Sequence, residues 1–402
     1  AISLRGIDEL IELFTELDQL EVERRKHLLL ALNAVPTDVR LMIGSAWRFD
    51  TQRDDFSGVI AANKLQQVGD IAEKWSNTEI AVECACSCAV MLDEYANDKR
   101  PLFLYLAYTA PHDPLMAWPE DIQKYEGAYD MGYNPVRLAR YQRQLEMGLI
   151  DESYGLSEAT YPSWDTLGQE IRSEEIRKME VYAAMIDRLD QNIGRILKSL
   201  EESGRADNTL IMFVSDNGAS AEMVHIDDDY GEIGSMTLWS SLGPGWANVS
   251  NTPFRYYKNY SYEGGINTPL IAYWPGQIEP GTFSRYPGHF IDIMATYMDI
   301  VSAEYPEEFN GSVITPLQGE SLLPIFQGED PERSRALYWE WSQGQAVRDG
   351  EWKLVRWGKD NSWDLYNVSA DPTETNNLAS DYPDKVLAME QLFLEWKSSV
   401  GH

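Results

Sequence analysis

Cysteine, histidine and positive charge are all scarce in this chain. It has three Cys, at 84, 86 and 88, and five His among 402 residues. Three Cys in one short stretch cannot form a disulfide framework. A zinc site would want a fourth ligand and a different spacing. Cys84 and Cys88 stand four apart in a predicted helix over 78–97, on the face that carries Ile80, Met91 and Leu92. There they read as small buried hydrophobes. Lys and Arg number 33 against 65 Asp and Glu, a net charge of −32. Such a surface disfavours nucleic acid and anionic membranes and favours solubility. An anionic substrate would need a local basic pocket working against that field. No apolar run is long enough to span a membrane. The chain opens on Ala1-Ile2-Ser3-Leu4-Arg5, with neither an initiator Met nor a signal peptide. It therefore reads as processed, excised or incomplete at its front.

What is present is core-forming material. Hydrophobic residues make up 44% of the chain and include 13 Trp, enough for one large α/β domain and a smaller second one. The chain is organised around residues 209–219. Leu210-Ile211-Met212-Phe213-Val214 is a continuous apolar run, the pattern of a strand buried on both faces of a parallel sheet. It ends abruptly in Ser215-Asp216-Asn217-Gly218. Ligands of open α/β sheets bind beyond the carboxyl ends of the strands. Asp216 and Asn217 offer two hard oxygens there, suited to Ca²⁺ or Mg²⁺. Gly218 would allow a sharp turn. The same residues also make ordinary turns for purely conformational reasons.

Other elements follow from periodicity. Residues 1–35 read as helix, with His27 at the surface. Pro101-Leu102-Phe103-Leu104-Tyr105-Leu106-Ala107-Tyr108 is a second buried-strand pattern, ending at His112. Residues 119–195 are predicted mainly helical, and 176–200 carries Met179, Ala183, Ile186, Leu189, Ile193, Ile196 and Leu197 as an apolar stripe. Residues 220–265 read as a long irregular segment, a type that tends to be functional. Leu270-Ile271-Ala272-Tyr273-Trp274 is another strand. His289 and Asp292 read as caps of a helix over 288–303. Beyond 335 the short aromatic alternations around Trp339, Val347, Leu354 and Leu365 predict an antiparallel sheet, closed by a helix over 385–397. The expected fold is thus α/β: a large mixed, mostly parallel sheet flanked by helices, with a small C-terminal antiparallel sheet plus helix. The expected divisions are 1–97, an atypical, mainly helical front; 98–334, the α/β domain; and 335–402, the small domain.

Four stretches carry a family resemblance. They are Phe103-Leu104-Tyr105-Leu106-Ala107-Tyr108-Thr109-Ala110-Pro111-His112, Phe213-Val214-Ser215-Asp216-Asn217-Gly218-Ala219, the run from Asn251-Thr252-Pro253 through Lys258 to Glu263-Gly264-Gly265-Ile266, and the tail from Tyr338-Trp339-Glu340 to Leu365-Tyr366. In order and spacing, from about residue 98 to the end, the chain resembles the sulfatases of the alkaline phosphatase superfamily, the arylsulfatases most. The resemblance implies a Ca²⁺-dependent (or Mg²⁺-dependent) hydrolase of sulfate esters, acting on a sulfated small molecule or glycan. It implies that Asp216 and Asn217 bind the metal, that His112 contacts the sulfate and helps the leaving group, and that Lys258 contacts a sulfate oxygen. It also implies a periplasmic or secreted protein. A divalent ion, a Lys and an imidazole around one point would stabilise the charge that sulfuryl transfer spreads over its oxygens. Asn248, Asn259, Asn310 and Asn367 each begin an Asn-x-Ser sequon.

The front of the family pattern is missing. No Cys-x-Pro-x-Arg precursor of formylglycine is present, and no Asp-Asp ends an opening strand, Asp54-Asp55 lying in a polar stretch. Ca²⁺ takes about six to eight oxygens, so two ligands are half a site. Without a nucleophile covalent catalysis is lost. The chain as written is expected to turn over little or no substrate. Two further functions stay open: a non-catalytic homologue that binds sulfated ligands, and a phosphatase or phosphodiesterase of the same superfamily.

Overall fold

A computed structural model describes residues 101–400 except 227, 228 and 310. The expectations for 1–97, including His27, Asp54-Asp55 and the three Cys, lie outside the described residues. In chain order the main elements are helices α1 (Pro119–Gln123), α2 (Tyr133–Glu146) and α3 (Gln169–Glu202), strand β1 (Ile211–Val214), helix α4 (Gly243–Ser250), the single turn α5 (Glu263–Ile266), strand β2 (Leu270–Tyr273) and helix α6 (Phe290–Ile300). Then come the short pair β3 (Glu308–Phe309) and β4 (Ser312–Val313), the turn α7 (Leu323–Phe326), strands β5 (Leu337–Trp341), β6 (Gly344–Asp349), β7 (Trp352–Trp357) and β8 (Asp364–Asn367), and helix α8 (Pro383–Ser399). They cluster into two compact units. Among the described residues the first comprises 101–128, Ser173–Ala206 and Val224–Ser241; the second, Tyr129–Arg172, Asp207–Met223 and 242–400.

In the first unit the long helix α3 is the spine. Its buried face carries Val181, Ala184, Met185, Leu189 and Ile196, joined by Leu115 and Ile122. That face is rotated from the expected stripe, since Ile186 is exposed while Arg188 is buried. The reason is electrostatic: Arg188 donates to the buried Asp121 at 2.6–2.8 Å, and Lys124 holds the other oxygen of that carboxylate at 2.9 Å. The paired charge occupies a position on the buried face that the apolar stripe leaves out. The strand expected over 101–108 pairs with no strand among the described residues. An apolar run becomes a strand only beside a partner with free backbone groups, and no described segment pairs with it.

In the second unit β1 and β2 pair antiparallel, Ile211 opposite Tyr273 and Val214 opposite Leu270. Among the described residues this antiparallel pair is the ladder β1 makes, and the parallel neighbours expected of it are not among them. Among the described residues the parallel contact is an isolated bridge, Met116 to Gly234. Apolar content marks a strand but does not fix its direction. Segment 220–265 is less irregular than expected, because α4 and α5 lie within it. Tyr133, at the start of α2, packs edge-on against Trp246 of α4 and against Trp164, both at 4.8 Å. His289 caps α6 as expected: its Nδ1 accepts from the Ile291 N–H at 3.2 Å and Asp292 accepts from the His289 N–H at 2.7 Å. The C-terminal sheet β5-β6-β7-β8 is an antiparallel meander. Its strand period of two sends Val347, Leu354 and Leu365 against Met389 and Phe393 of α8. The alternate set, Ala346, Val355 and Tyr366, packs on Tyr262.

Candidate active site

The turn after β1 is fixed from several directions within the second unit. Thr268 Oγ1 donates to the Ser215 carbonyl at 2.8 Å, and the Gly218 N–H to Gly265 O at 3.0 Å. The Ala219 N–H donates to Asn251 Oδ1 at 3.0 Å, and Ala219 O accepts from the Lys258 N–H at 3.0 Å. Asp216, Asn217 and Lys258 therefore sit on one hydrogen-bonded frame. Gly218 serves this frame by its size, since its backbone is not left-handed. A Cβ there would stand 1.9 Å from Gly264 O. Gly264 and Gly265 are pressed in turn against Arg255 O and Tyr260 O, each 2.0 Å from where a Cβ would be. The Glu-Gly-Gly stretch is thus a layer one atom too thin for any side chain.

The side chains at the turn suit a hard cation in kind. Asn217 Nδ2 donates to Gly218 O at 2.9 Å, which leaves Oδ1 as its remaining ligand atom. Asp216 is exposed beside it. In number they fall short. Among the described residues no group of three or more His, Cys, Asp or Glu could hold a metal ion. Lys258 lies on a tight loop in which Tyr256 (φ 61°) and Asn259 (φ 80°) are left-handed. Stacking clamps that loop, with Tyr256 on Tyr260 at 4.4 Å and Tyr260 on Trp357 at 4.1 Å. The Lys258 ammonium pairs with Glu222 Oε2 at 3.3 Å. Asn251 links the loop to the turn, because its Nδ2 donates to Tyr256 O at 3.1 Å. Asn248 is fully buried behind it, which removes that sequon as an acceptor for a glycan.

His112 belongs to the first unit, in the segment after Thr109. Its Nδ1 lies 3.1 Å from the Asp113 carbonyl. A carbonyl only accepts, so Nδ1 is the donor in this contact.

Three charged residues behind the frame carry no role that the sequence alone assigns. Lys353 of β7 is completely buried and pairs with Glu263 at 2.6 Å and Glu374 at 2.8 Å. Glu374 Oε2 also accepts the Glu263 N–H at 2.8 Å. Lys353 alternates with Val355 on the face that meets Tyr262, and that in-facing register is the one local sign of its burial. Burial pushes the Glu374 carboxyl up to about 7, with Glu263 raising it further and Lys353 opposing. Glu263 is held below its ordinary value by Lys353 and Arg348 despite its own burial. Near pH 6 the group is thus one cation, one anion and one neutral acid. Glu374 binds its proton more tightly folded than unfolded. Its stabilising contribution is complete below the ordinary carboxylate range and is lost as pH rises through about 7. Glu374→Gln is expected to remove that slope. Urea unfolding between pH 5 and 8 should show wild type losing about 1–3 kcal/mol across the window relative to the variant. Equal slopes would refute the assignment.

Residues 65–303 match the sulfatase family, and residues 254–395 match a family described as the C-terminal part of N-sulphoglucosamine sulphohydrolase. A Schizosaccharomyces pombe protein described as an uncharacterized sulfatase is 31% identical over 335 residues, which cover 77% of this chain and 60% of that protein. The arylsulfatase of Klebsiella aerogenes is 33% identical over 240 residues, 56% of this chain and 52% of the enzyme. The chain thus spans between half and two thirds of the length of these relatives. The crystal structure of Ps i-CgsB superposes with a TM-score of 0.53 at 22% identity, covering 79% of this chain and 55% of its own, a likeness of fold. The α/β class and the resemblance read from the four stretches hold, and this chain belongs to the sulfatase family of the alkaline phosphatase superfamily.

Proposed function

We propose that the chain carries the metal-binding and sulfate-binding half of a sulfuric ester hydrolase of arylsulfatase type. The observation that carries this is the shared frame of the Asp216-Asn217 turn and Lys258, joined through Ala219 and Asn251. Asp216 and Asn217 would hold Ca²⁺ (or Mg²⁺), which supplies positive charge to the oxygens of a bound sulfate. Lys258 would leave Glu222 for a sulfate oxygen. His112, in the first unit, would serve the leaving group as the resemblance implies. The family's nucleophile motif is not in the 402 residues, so turnover by this chain is expected to be slight.

Calorimetry on the full chain tests the proposal with Ca²⁺ and inorganic sulfate as separate ligands. Asp216→Ala is expected to abolish Ca²⁺ binding. Lys258→Ala is expected to weaken sulfate binding about tenfold, the loss of one charge-assisted contact. Unchanged Ca²⁺ binding in Asp216→Ala would overturn the metal assignment. Faster hydrolysis of 4-nitrophenyl phosphate than of 4-nitrophenyl sulfate would move the protein to the phosphatase branch.

A further inference from the structure

Trp341 is large, apolar and 69% exposed, yet it is held in one orientation. It ends β5 at the tip of the β5–β6 hairpin, where Trp341 faces Gly344 across the two-residue turn Ser342-Gln343. The tip lies against the Lys258 loop so closely that a Cβ on Gly344 would meet Ser261 Oγ at 2.6 Å and Asn259 O at 3.1 Å. The indole Nε1 donates to Asn259 Oδ1 at 2.9 Å. Asn259 Nδ2 donates to Glu222 Oε1 at 3.2 Å, and the other oxygen of Glu222 pairs with Lys258. An unbroken relay, Trp341–Asn259–Glu222–Lys258, thus joins the indole to the ammonium.

A tryptophan has one polar atom, and here it is already used. What Trp341 presents outward is therefore its apolar face alone. An indole fixed in advance costs little entropy when a ligand settles on it. The groups beside it are a carboxylate, an amide and the Ser220 hydroxyl, which donates to Glu222 at 3.3 Å. A ligand that matches both has one flat face of C–H groups and an edge of hydroxyls, which is a pyranose ring. A plain aryl group would stack but leave the polar rim unmatched.

We infer that Trp341 is a platform for a sugar ring, and that the chain recognises sulfated glycans through Trp341 for the ring and Lys258 for the sulfate. This deepens the proposed function and rests on it for the sulfate. The anion would draw Lys258 from Glu222, freeing a carboxylate oxygen to accept a ring hydroxyl. Asn259 would stay on the indole, so the two contacts form together.

Calorimetry on the full chain tests this with two probes, 6-O-sulfated chitobiose and unsulfated chitobiose. Wild type is expected to bind both, the sulfated one more tightly. Trp341→Ala is expected to weaken both by about tenfold, in line with the loss of an aromatic stacking contact. Trp341→Phe, which keeps a ring but lacks the N–H, should recover most of that loss. Lys258→Ala should reduce the sulfated probe to the level of the unsulfated one. The inference is overturned if Trp341→Ala binds both probes within twofold of wild type, or if wild type binds neither. If Trp341→Ala weakens both while wild type shows no preference for the sulfated probe, the platform stands and the sulfate assignment of Lys258 falls.

Discussion

Lys353→Met is expected to cost about 3–5 kcal/mol of stability at pH 8, the usual consequence of removing one partner from a buried ion pair. The lysine and Glu374 have no exposed surface, and Glu263 is buried beside them. Without the ammonium, Glu263 and Glu374 would be two buried carboxylates facing each other. Both would have to take up protons, and near pH 8 that is uphill for each. At pH 5 protonation is easy, so most of the loss should be recovered there. The recovery separates a charge effect from a packing effect, because methionine fills nearly the same volume at either pH. A triple variant with Glu263→Gln and Glu374→Gln added should regain much of the lost stability at pH 8, since no unpaired charge remains. Urea unfolding at the two pH values is the measurement. A single variant within about 1 kcal/mol of wild type at pH 8 would show that the buried charges are not coupled as the distances imply. Domains of this kind are stable by only about 5–15 kcal/mol, so the expected loss is a large share of the total.

The same pair of glutamates explains why part of the site is illegible in the sequence. The C-terminal meander could be read because its signal is local: alternation along each strand, turn residues between strands, and an amphipathic helix at the end. The cap at His289 and Asp292 could be read because its partners lie within three residues. The turn after β1 was legible as an apolar run that stops in Asp-Asn. Lys353, by contrast, finds partners 90 positions earlier and 21 positions later. By itself it looks like one more solvated lysine. Arg188 is the same case in the first unit, a charge on the buried face of α3 whose partner is Asp121. Strand direction was illegible for a different reason. An apolar run reports burial, whereas pairing direction depends on how the chain returns. β1 returns through some 55 residues to meet β2 antiparallel. Phe213 at 42% and Ile271 at 62% exposure show that this pair is not sealed on both faces among the described residues. For the 101–108 run, apolar character was legible and the partner was not.

Gly218→Ala is the sharpest test of how the turn is held. The usual argument for glycine in a turn is a left-handed backbone, but Gly218 does not adopt one. Its constraint is the Gly264 carbonyl, 1.9 Å from where a methyl group would be. That carbonyl cannot move aside cheaply. Gly264 is itself against Arg255 O, Gly265 against Tyr260 O, and Glu263 is tied to Glu374 and Lys353. The strain should pass to the other side, lifting residues 215–219 off the Gly265 carbonyl and taking the Asp216 and Asn217 side chains with them. Overpacking of this kind costs about 1–3 kcal/mol, and a backbone obstacle places the cost at the upper end. Displacing a ligand pair by about 1 Å is enough to reduce function some hundredfold. Ca²⁺ affinity should therefore fall further than stability does. Gly194→Ala is the matched control. It makes the same chemical change at an exposed position of α3 with nothing within 4 Å, and it should stabilise by about 0.5–1 kcal/mol. Urea unfolding and Ca²⁺ calorimetry on both variants would decide. If Gly218→Ala unfolds with wild type and binds Ca²⁺ equally well, the three-glycine layer is not what positions the turn.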